Sequence, residues 1–201
     1  MPELTYKLEK AKFNDPNTKT SLLLQCHFSR TTLTPDFYFD QKLILEKSIS
    51  LIQAIVDVIS SNCWLKPAIV SMQLCQMVIQ AQWLTDSPLK QLPHLTKEII
   101  DNLKKKGVED IADFLNMDDE DRKSILKLSE EQLADVAKAC NRYPSIIIEK
   151  TIRNENEIKT GDNVSVDVVI SREGEEADFK DFVYAPFYTK VFFFSFYLIF
   201  I

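Results

Sequence analysis

The chain has 201 residues, 45% of them hydrophobic, which is enough for one large domain or two small ones with buried cores. Its formal net charge of -6 provides no overall basic field for nucleic acid, so any positive patch must be local. Only three glycines are present, so neither a phosphate-binding loop nor a dinucleotide fingerprint can be written, and no catalytic residues are predicted.

Signals for metal binding and for targeting are equally sparse. The two histidines, His27 and His94, have no partner at ligand spacing, and no two cysteines form a Cys-x-x-Cys pair. We therefore predict no metal site, and ordinary buried thiols at Cys26, Cys63, Cys75 and Cys140. The chain begins with polar and charged residues, so we expect no signal peptide and a location in the cytosol or nucleus.

Three helices are predicted in the first part of the chain. One covers Thr18–Arg30, after the break at residues 14–17, and another covers Pro67–Trp83, whose methionines are expected to fill core. The strongest pattern lies between them, over Gln41–Asn62. Its apolar residues step by four and three positions, which marks one face of a helix, at Leu45, Ile49, Ile52, Val56 and Ile59.

The helix predicted over Gln41–Asn62 has an apolar face of unusual width. Leu51, Ile55 and Val58 broaden it, so we expect this helix to be packed on most sides. The exception is a narrow polar stripe, again at helical spacing, made of Lys42, Glu46, Ser50, Gln53 and Asp57. One buried helix with one polar stripe indicates a helix that runs through a bundle beside a groove.

Short helices are predicted in the middle of the chain. Thr96 is a suitable N-cap for a helix over Lys97–Lys106, which Gly107 ends. An acidic run over 118–121 starts another helix, and the last begins at Ser129, whose capping-box partner would be Gln132. The pattern predicts a helix-loop-helix module that resembles a helix-hairpin-helix. Its lysine run either contacts phosphates or only compensates the helix dipole, at Lys104, Lys105 and Lys106.

The period changes to two after Pro144. Ile146, Ile147 and Ile148 form one apolar run, and alternating apolar residues from Val164 to Ile170 form another, with a turn at residues 160–162 between them. These strands begin a β-sandwich but are too few to close it. The predicted fold class is therefore mainly α with a C-terminal β part.

Several spaced segments resemble a known family. They are residues 12–16, 19–20, 22–25, 51–54, 56–58, 60–62, 64, 89–94, 134–137 and 140–144. Together they are similar to the Sec63 homology region of the Brr2-type spliceosomal RNA helicases, and most like its C-terminal cassette. The likeness runs from about residue 7 to 173, which is far more specific than a single short motif.

The resemblance implies three parts in chain order. Residues 1–88 would be a partial helical bundle, residues 89–144 the helix-loop-helix module, and residues 145–201 an incomplete fibronectin- or immunoglobulin-like β-sandwich. The family's ATPase lies in RecA-like domains, so ATP and Mg²⁺ are expected only there and this chain would be no enzyme. The implied function is that of a non-catalytic accessory region of a nuclear, ATP-dependent splicing helicase, supporting RNA guidance and protein contacts.

The resemblance also implies site residues and partners. The family's long bundle helix, called the ratchet helix, lies along the strand-guiding channel, and Gln41–Asn62 matches it with Lys47, Ser50 and Gln53 on the channel side. Ser50 stands where the active first cassette tends to present arginine, which favours protein binding over strong RNA gripping. The predicted RNA- or partner-facing residues are Lys42, Lys47, Ser50, Gln53, Lys104, Lys105 and Lys106. Expected partners are the RecA-like and winged-helix domains of the parent chain, spliceosomal proteins and weakly bound RNA, but no membrane.

Two other classes of parent protein remain as alternatives. The same homology region occurs in a translocation subunit of the endoplasmic reticulum and in a related helicase of a transcription-coactivator complex.

The family's sandwich continues with charged residues and a tryptophan pair, whereas here an apolar tail covers residues 191–201. Eleven residues at 1.5 Å rise span only about half a bilayer core, so we expect a translated intron or frameshift rather than a membrane anchor.

Overall fold

A computed structural model describes residues 5–8, 12, 14–143, 146–172 and 185–188. Within these residues the chain forms seven α-helices, two short 3-10 turns and one two-stranded antiparallel sheet. The prediction of a mainly α fold with a C-terminal β part is confirmed. The predicted continuation of the sandwich lies largely, and the apolar tail entirely, outside the described residues.

The first three helices begin earlier than predicted. They are α1 (Pro16–Phe28), α2 (Pro35–Ser61) and α3 (Leu65–Gln80). Proline stands at the start of α1 and α2, where its missing N–H would have no helical partner in any case. Before α1, the Asp15 carboxylate accepts a hydrogen bond from the backbone N–H of Asn17 at 3.2 Å and caps the helix.

Helices α1–α3 share one buried core. The side chains in it are Phe28, Leu45, Ile49, Ile52, Val56, Val78, Trp83 and Tyr188. Two polar side chains of this region bond to the main chain of a neighbouring helix. His27 on α1 lies with Nε2 2.7 Å from the Val78 carbonyl of α3, and Gln41 on α2 donates to the Leu23 carbonyl of α1 at 2.9 Å. These bonds fix the three helices against each other because buried polar groups need their partners.

The four short helices pack around a second core. They are α4 (Lys97–Lys105), α5 (Ile111–Leu115), α6 (Asp119–Leu126) and α7 (Glu130–Arg142). The capping box predicted at Ser129 and Gln132 is present, and the Thr96 hydroxyl accepts from the Ile99 N–H at 3.4 Å. The core contains Leu89, Leu92, Leu95, Ile100, Leu103, Val108, Ile111, Phe114, Leu126, Val136 and Ala139.

Gly107 ends helix α4 in the left-handed conformation that the sequence indicated, with a φ of 84°. Its N–H donates to the Lys104 carbonyl at 3.0 Å, and the Val108 N–H donates to the Leu103 carbonyl at 3.1 Å. This pair of bonds is a Schellman motif, and the Val108 and Leu103 side chains meet in the second core. Both backbone N–H groups at this turn are therefore already used within the chain.

The sheet pairs β1 (Ile146–Ile152) with β2 (Val166–Arg172) in an antiparallel register that sets Ile148 opposite Ile170. Most of its apolar side chains are exposed in the described residues. Next to β1, the Arg153 guanidinium donates two hydrogen bonds to the Asp167 carboxylate. The hydrogen bonds from Arg153 lower the pKa of Asp167.

The buried His27 predicts a loss of stability at mildly acidic pH. Burial lowers the pKa of His27, the Val78 carbonyl raises it and the positive charge of Arg30 lowers it further, with burial dominant. Because the pKa is lower in the folded than in the unfolded chain, the stabilisation is complete above about pH 6.5. It is lost as pH falls from there through the folded pKa. The melting temperature should therefore decrease as the pH is lowered from 7.5 to 5.5.

The matched control uses the second histidine of the chain. His27→Gln should flatten the dependence of melting temperature on pH in this window, whereas His94→Gln, which leaves the buried imidazole in place, should retain it. Circular dichroism melts at a series of pH values measure both slopes. Equal slopes in the two variants would contradict a neutral, buried His27.

Candidate partner-facing surface on helix α2

Helix α2 presents three different faces along its 27 residues, which correspond to about 40 Å. One face is buried against α1 and α3 and carries Leu45, Ile49, Ile52 and Val56. A second face carries the polar seam, which we define as Lys42, Glu46, Ser50, Gln53 and Asp57. A third face carries the apolar flank, which we define as Leu51, Ile55 and Val58.

The polar seam lies on the surface, in agreement with its helical spacing in the sequence. Lys42, Ser50, Gln53 and Asp57 are exposed, and Glu46 is half-buried. Lys47, the remaining predicted residue of this helix, is exposed between the seam and the apolar flank. The seam therefore combines one cation with two carboxylates and two neutral polar groups. Such a weakly acidic surface offers little attraction to phosphates, and its mixture of polar groups is compatible with contacts to another protein.

The apolar flank contradicts the expectation that α2 is packed on most sides. Leu51 is 61% exposed and Val58 63% exposed, and Ile55 is also exposed. The reason is geometric: α1 and α3 both pack against the buried face, and the described residues place nothing over the flank. The sequence showed these residues as part of a broad apolar face but could not show which part of that face its neighbours would cover.

A groove of about 450 Å³ continues the apolar flank between the three helices. Helix α1 contributes Leu24, α2 contributes Leu43 and Leu51, and α3 contributes Leu74, with the Lys47 side chain also in the wall. On α3 the exposed Val70 lies one turn before Leu74. An apolar groove between helices, beside a row of exposed apolar residues, is the type of surface that receives another helix.

The lysine run belongs to a different part of the fold. Lys104, Lys105 and Lys106 lie at the C-terminal end of α4 and are all exposed. This position places their charges at the negative end of the helix dipole. Because the Schellman motif at Gly107 uses the neighbouring backbone N–H groups, only the lysine side chains remain for a phosphate.

No metal-binding cluster is found in the part of the chain that the structure describes. No group of three or more His, Cys, Asp or Glu side chains could hold a metal ion there. His94 instead lies 3.0 Å from the Asp135 carboxylate of α7. Helices of the described ranges are too short or too polar to cross a membrane.

The prediction of four buried thiols is wrong at Cys63, and the other three thiols are only half-buried. Cys63 is exposed because it lies in the turn between α2 and α3, while Cys26, Cys75 and Cys140 are half-buried. Burial raises the pKa of each of these three thiols. All four cysteines are free thiols.

Comparison with known proteins gives consistent results over most of the chain. A family model described as Sec63 Brl domain matches residues 2–194. The U5 small nuclear ribonucleoprotein 200 kDa helicase of Homo sapiens is 49% identical over 173 residues, which are 86% of this chain and 8% of that protein. The activating signal cointegrator 1 complex subunit 3-like protein of Dictyostelium discoideum is 41% identical over 195 residues, 93% of this chain and 9% of that protein.

A plant relative extends the same pattern. The DExH-box ATP-dependent RNA helicase DExH12 of Arabidopsis thaliana is 40% identical over 173 residues, which are 85% of this chain and 8% of that protein. The chain thus spans less than a tenth of the length of these relatives.

The buried face and the polar seam of α2 should respond differently to substitution. Ile52→Asp or Val56→Asp would bury an unpaired charge and should cost several kcal/mol, enough to unfold a domain of ordinary stability. Ser50→Ala and Gln53→Ala should stay within about 0.5 kcal/mol of wild type, because both side chains are exposed.

Urea denaturation of the four variants, followed by circular dichroism at 222 nm, measures these differences. The alanine variants serve as the matched controls on the same helix. A loss of several kcal/mol in Ser50→Ala or Gln53→Ala would show that the seam is packed and would contradict its assignment as a binding surface.

Proposed function

Because this chain belongs to the Sec63 Brl domain family, we propose that it is a non-catalytic accessory region of an ATP-dependent RNA helicase that acts in pre-mRNA splicing. In this role it supports RNA guidance and protein contacts within the spliceosome. Relatives described as U5 small nuclear ribonucleoprotein helicases support the proposal. The same relatives confirm the nuclear location predicted from the sequence.

We assign three functional parts to the chain, with boundaries near residues 88 and 144. The two separate cores support the first boundary, since Trp83 belongs to one and Leu89 to the other. Helices α1–α3 then form part of a larger helical bundle, and α4–α7 form the helix-loop-helix module. Strands β1 and β2 begin a fibronectin-like sandwich, which accounts for their exposed apolar side chains.

The apolar flank of α2 is the observation that carries the proposal. Fully burying one such side chain stabilises a protein by about 1.5–3 kcal/mol, so several left in water represent a large unused stabilisation. Contiguous exposed apolar residues mark contact surfaces. We infer that the RecA-like or winged-helix domains of the parent helicase cover the flank and the adjoining groove, which fixes α2 in position.

The polar seam then remains exposed and is the surface of α2 that contacts RNA or a partner protein. Lys42, Ser50 and Gln53 on the seam, with Lys47 between the seam and the covered groove, face either a strand of RNA or a spliceosomal protein. The excess of carboxylates over cations in the seam favours the protein. The lysines at the end of α4, at residues 104–106, add a weak and salt-sensitive contact to RNA. ATP and Mg²⁺ belong to the parent's helicase domains in this scheme.

One alternative is supported by a specific observation. The relative from Dictyostelium discoideum is described as similar to a subunit of the activating signal cointegrator 1 complex, which favours a helicase of that complex as the second candidate parent. A role in protein translocation at the endoplasmic reticulum has no comparable support among the relatives described above.

A chimeric helicase tests the proposed role. This chain would replace the 173-residue matching segment of the human U5 200 kDa helicase, and RNA-stimulated ATP hydrolysis and duplex unwinding would be measured. Leu51→Ser with Val58→Ser should leave the stability of the isolated chain nearly unchanged, since both residues are exposed there. In the chimera the same pair should impair assembly and lower unwinding at least tenfold.

The matched control is Leu115→Ser, which also removes an exposed leucine but lies on α5, away from the flank. It should retain the activity of the unmodified chimera. If the flank pair were as active as Leu115→Ser, the flank would not be a contact surface of the parent. If the isolated chain itself hydrolysed ATP, its non-catalytic role would be wrong.

A further inference from the structure

A short segment near the C-terminal end of the chain lies against the helical part. Residues 185–188, Ala-Pro-Phe-Tyr, are far in sequence from α1–α3, yet Tyr188 is only 6% exposed and belongs to their core. The Tyr188 hydroxyl donates a hydrogen bond to the Leu45 carbonyl in α2 at 3.1 Å. The segment is thus held by both apolar burial and a specific main-chain bond.

The neighbouring Phe187 contacts the helical part through a second site. Its ring lies over the guanidinium of Arg30, with the guanidinium carbon 4.0 Å from the ring centre. The same guanidinium donates to the carbonyls of Gln80 and Ala81 at the end of α3, at 3.2 and 2.9 Å. It also donates to the Lys90 carbonyl at 2.8 Å, in the 3-10 turn that leads to the second core.

Of these contacts, the hydrogen bond of Tyr188 lies next to the polar seam, on the buried side of α2. Leu45, which accepts the hydrogen bond, directly precedes the seam residue Glu46. Burial raises the pKa of Tyr188, and the nearby Cys75 and Glu46 raise it further. One segment therefore contacts α2 next to the seam and, through Arg30, the end of α3 and the link to α4.

We propose that residues 185–188 form a strap that locks helix α2, the end of α3 and the 3-10 turn Pro88–Gln91 into one arrangement. Docking of the strap holds the backbone of α2 around the seam rigid, and its release loosens that region without unfolding α4–α7. The C-terminal part of the chain thereby controls the rigidity of the α2 surface, whichever partner that surface binds.

Two side-chain deletions separate the contacts of the strap. Tyr188→Phe removes only the hydroxyl, and the loss of one hydrogen bond corresponds to about fivefold faster exchange of the amides it protects. Phe187→Ala removes the ring over Arg30, and the loss of a partly exposed cation–π contact corresponds to about threefold faster exchange. Neither change leaves a buried charge, so both variants should fold.

Amide hydrogen–deuterium exchange of the full chain, resolved by peptide, provides the test. Tyr188→Phe should speed exchange in α2 near Leu45, and Phe187→Ala should speed it at the end of α3 and in the 3-10 turn. The peptides of α4–α7 should stay at their wild-type rates in both variants. Tyr143→Phe, which removes the hydroxyl of an exposed tyrosine at the end of α7, is the matched control and should leave α2 unchanged.

Two results would contradict the proposed role of the strap. Unchanged exchange in α2 and the 3-10 turn in both variants would show that the segment does not restrain them. A uniform acceleration that includes α4–α7 would show that Tyr188 and Phe187 contribute only to global stability.

Discussion

Helix α2 carries apolar side chains on two adjacent faces, and its neighbours α1 and α3 can cover only one of them. A helix with so little polar circumference is stable in water only when most of its surface is packed. The described chain satisfies this requirement for Leu45, Ile49, Ile52 and Val56 and leaves Leu51, Ile55 and Val58 in solvent. The narrow polar seam is the one face of α2 that needs no covering, which is why we propose it as the surface that contacts a partner.

Arg30, which follows α1, connects the end of α3 to the turn before α4 and to Phe187. A single guanidinium caps the last carbonyls of α3, bonds to the turn before α4 and lies under Phe187. The planar fork of arginine suits several carbonyls at once, whereas a lysine would offer one point of contact. The surfaces of α2 are therefore positioned by packing from α1 and α3 and by an arginine that ties three segments together.

Much of this architecture was predictable because local sequence chemistry decides it. Gly107 ends α4 with the positive φ that glycine adopts without strain, and Ser129 with Gln132 forms the expected capping box. The start of α1 was missed because Pro16 was interpreted as part of a break, although it begins the helix. Helix α2 begins at Pro35, ahead of the predicted start at Gln41. The end of α3 was also missed, because Ala81 adopts the left-handed conformation without the glycine that usually signals it.

The periodicity of the sequence alone could not predict which parts of α2 are contact surfaces. Spacing along α2 placed the seam on one side of the helix, but only packing with α1 and α3 separates the buried stripe from the flank. The strap was beyond prediction for a similar reason, since nothing local to Phe187 or Tyr188 indicates that they meet Arg30 and Leu45. Long-range pairs of this kind arise from tertiary structure and leave no local signature.

Accessibility of the apolar flank in the assembled helicase tests the account most directly. In a Cys63→Ser background, Val58→Cys provides one exposed thiol on the flank, and its alkylation rate can be followed by peptide mass spectrometry. We expect rapid labelling in the isolated chain and labelling at least tenfold slower in the assembled chimera, because the parent's domains cover the flank there. Equal rates in the two would contradict the account, since the flank would then be a solvent-exposed surface and not a contact.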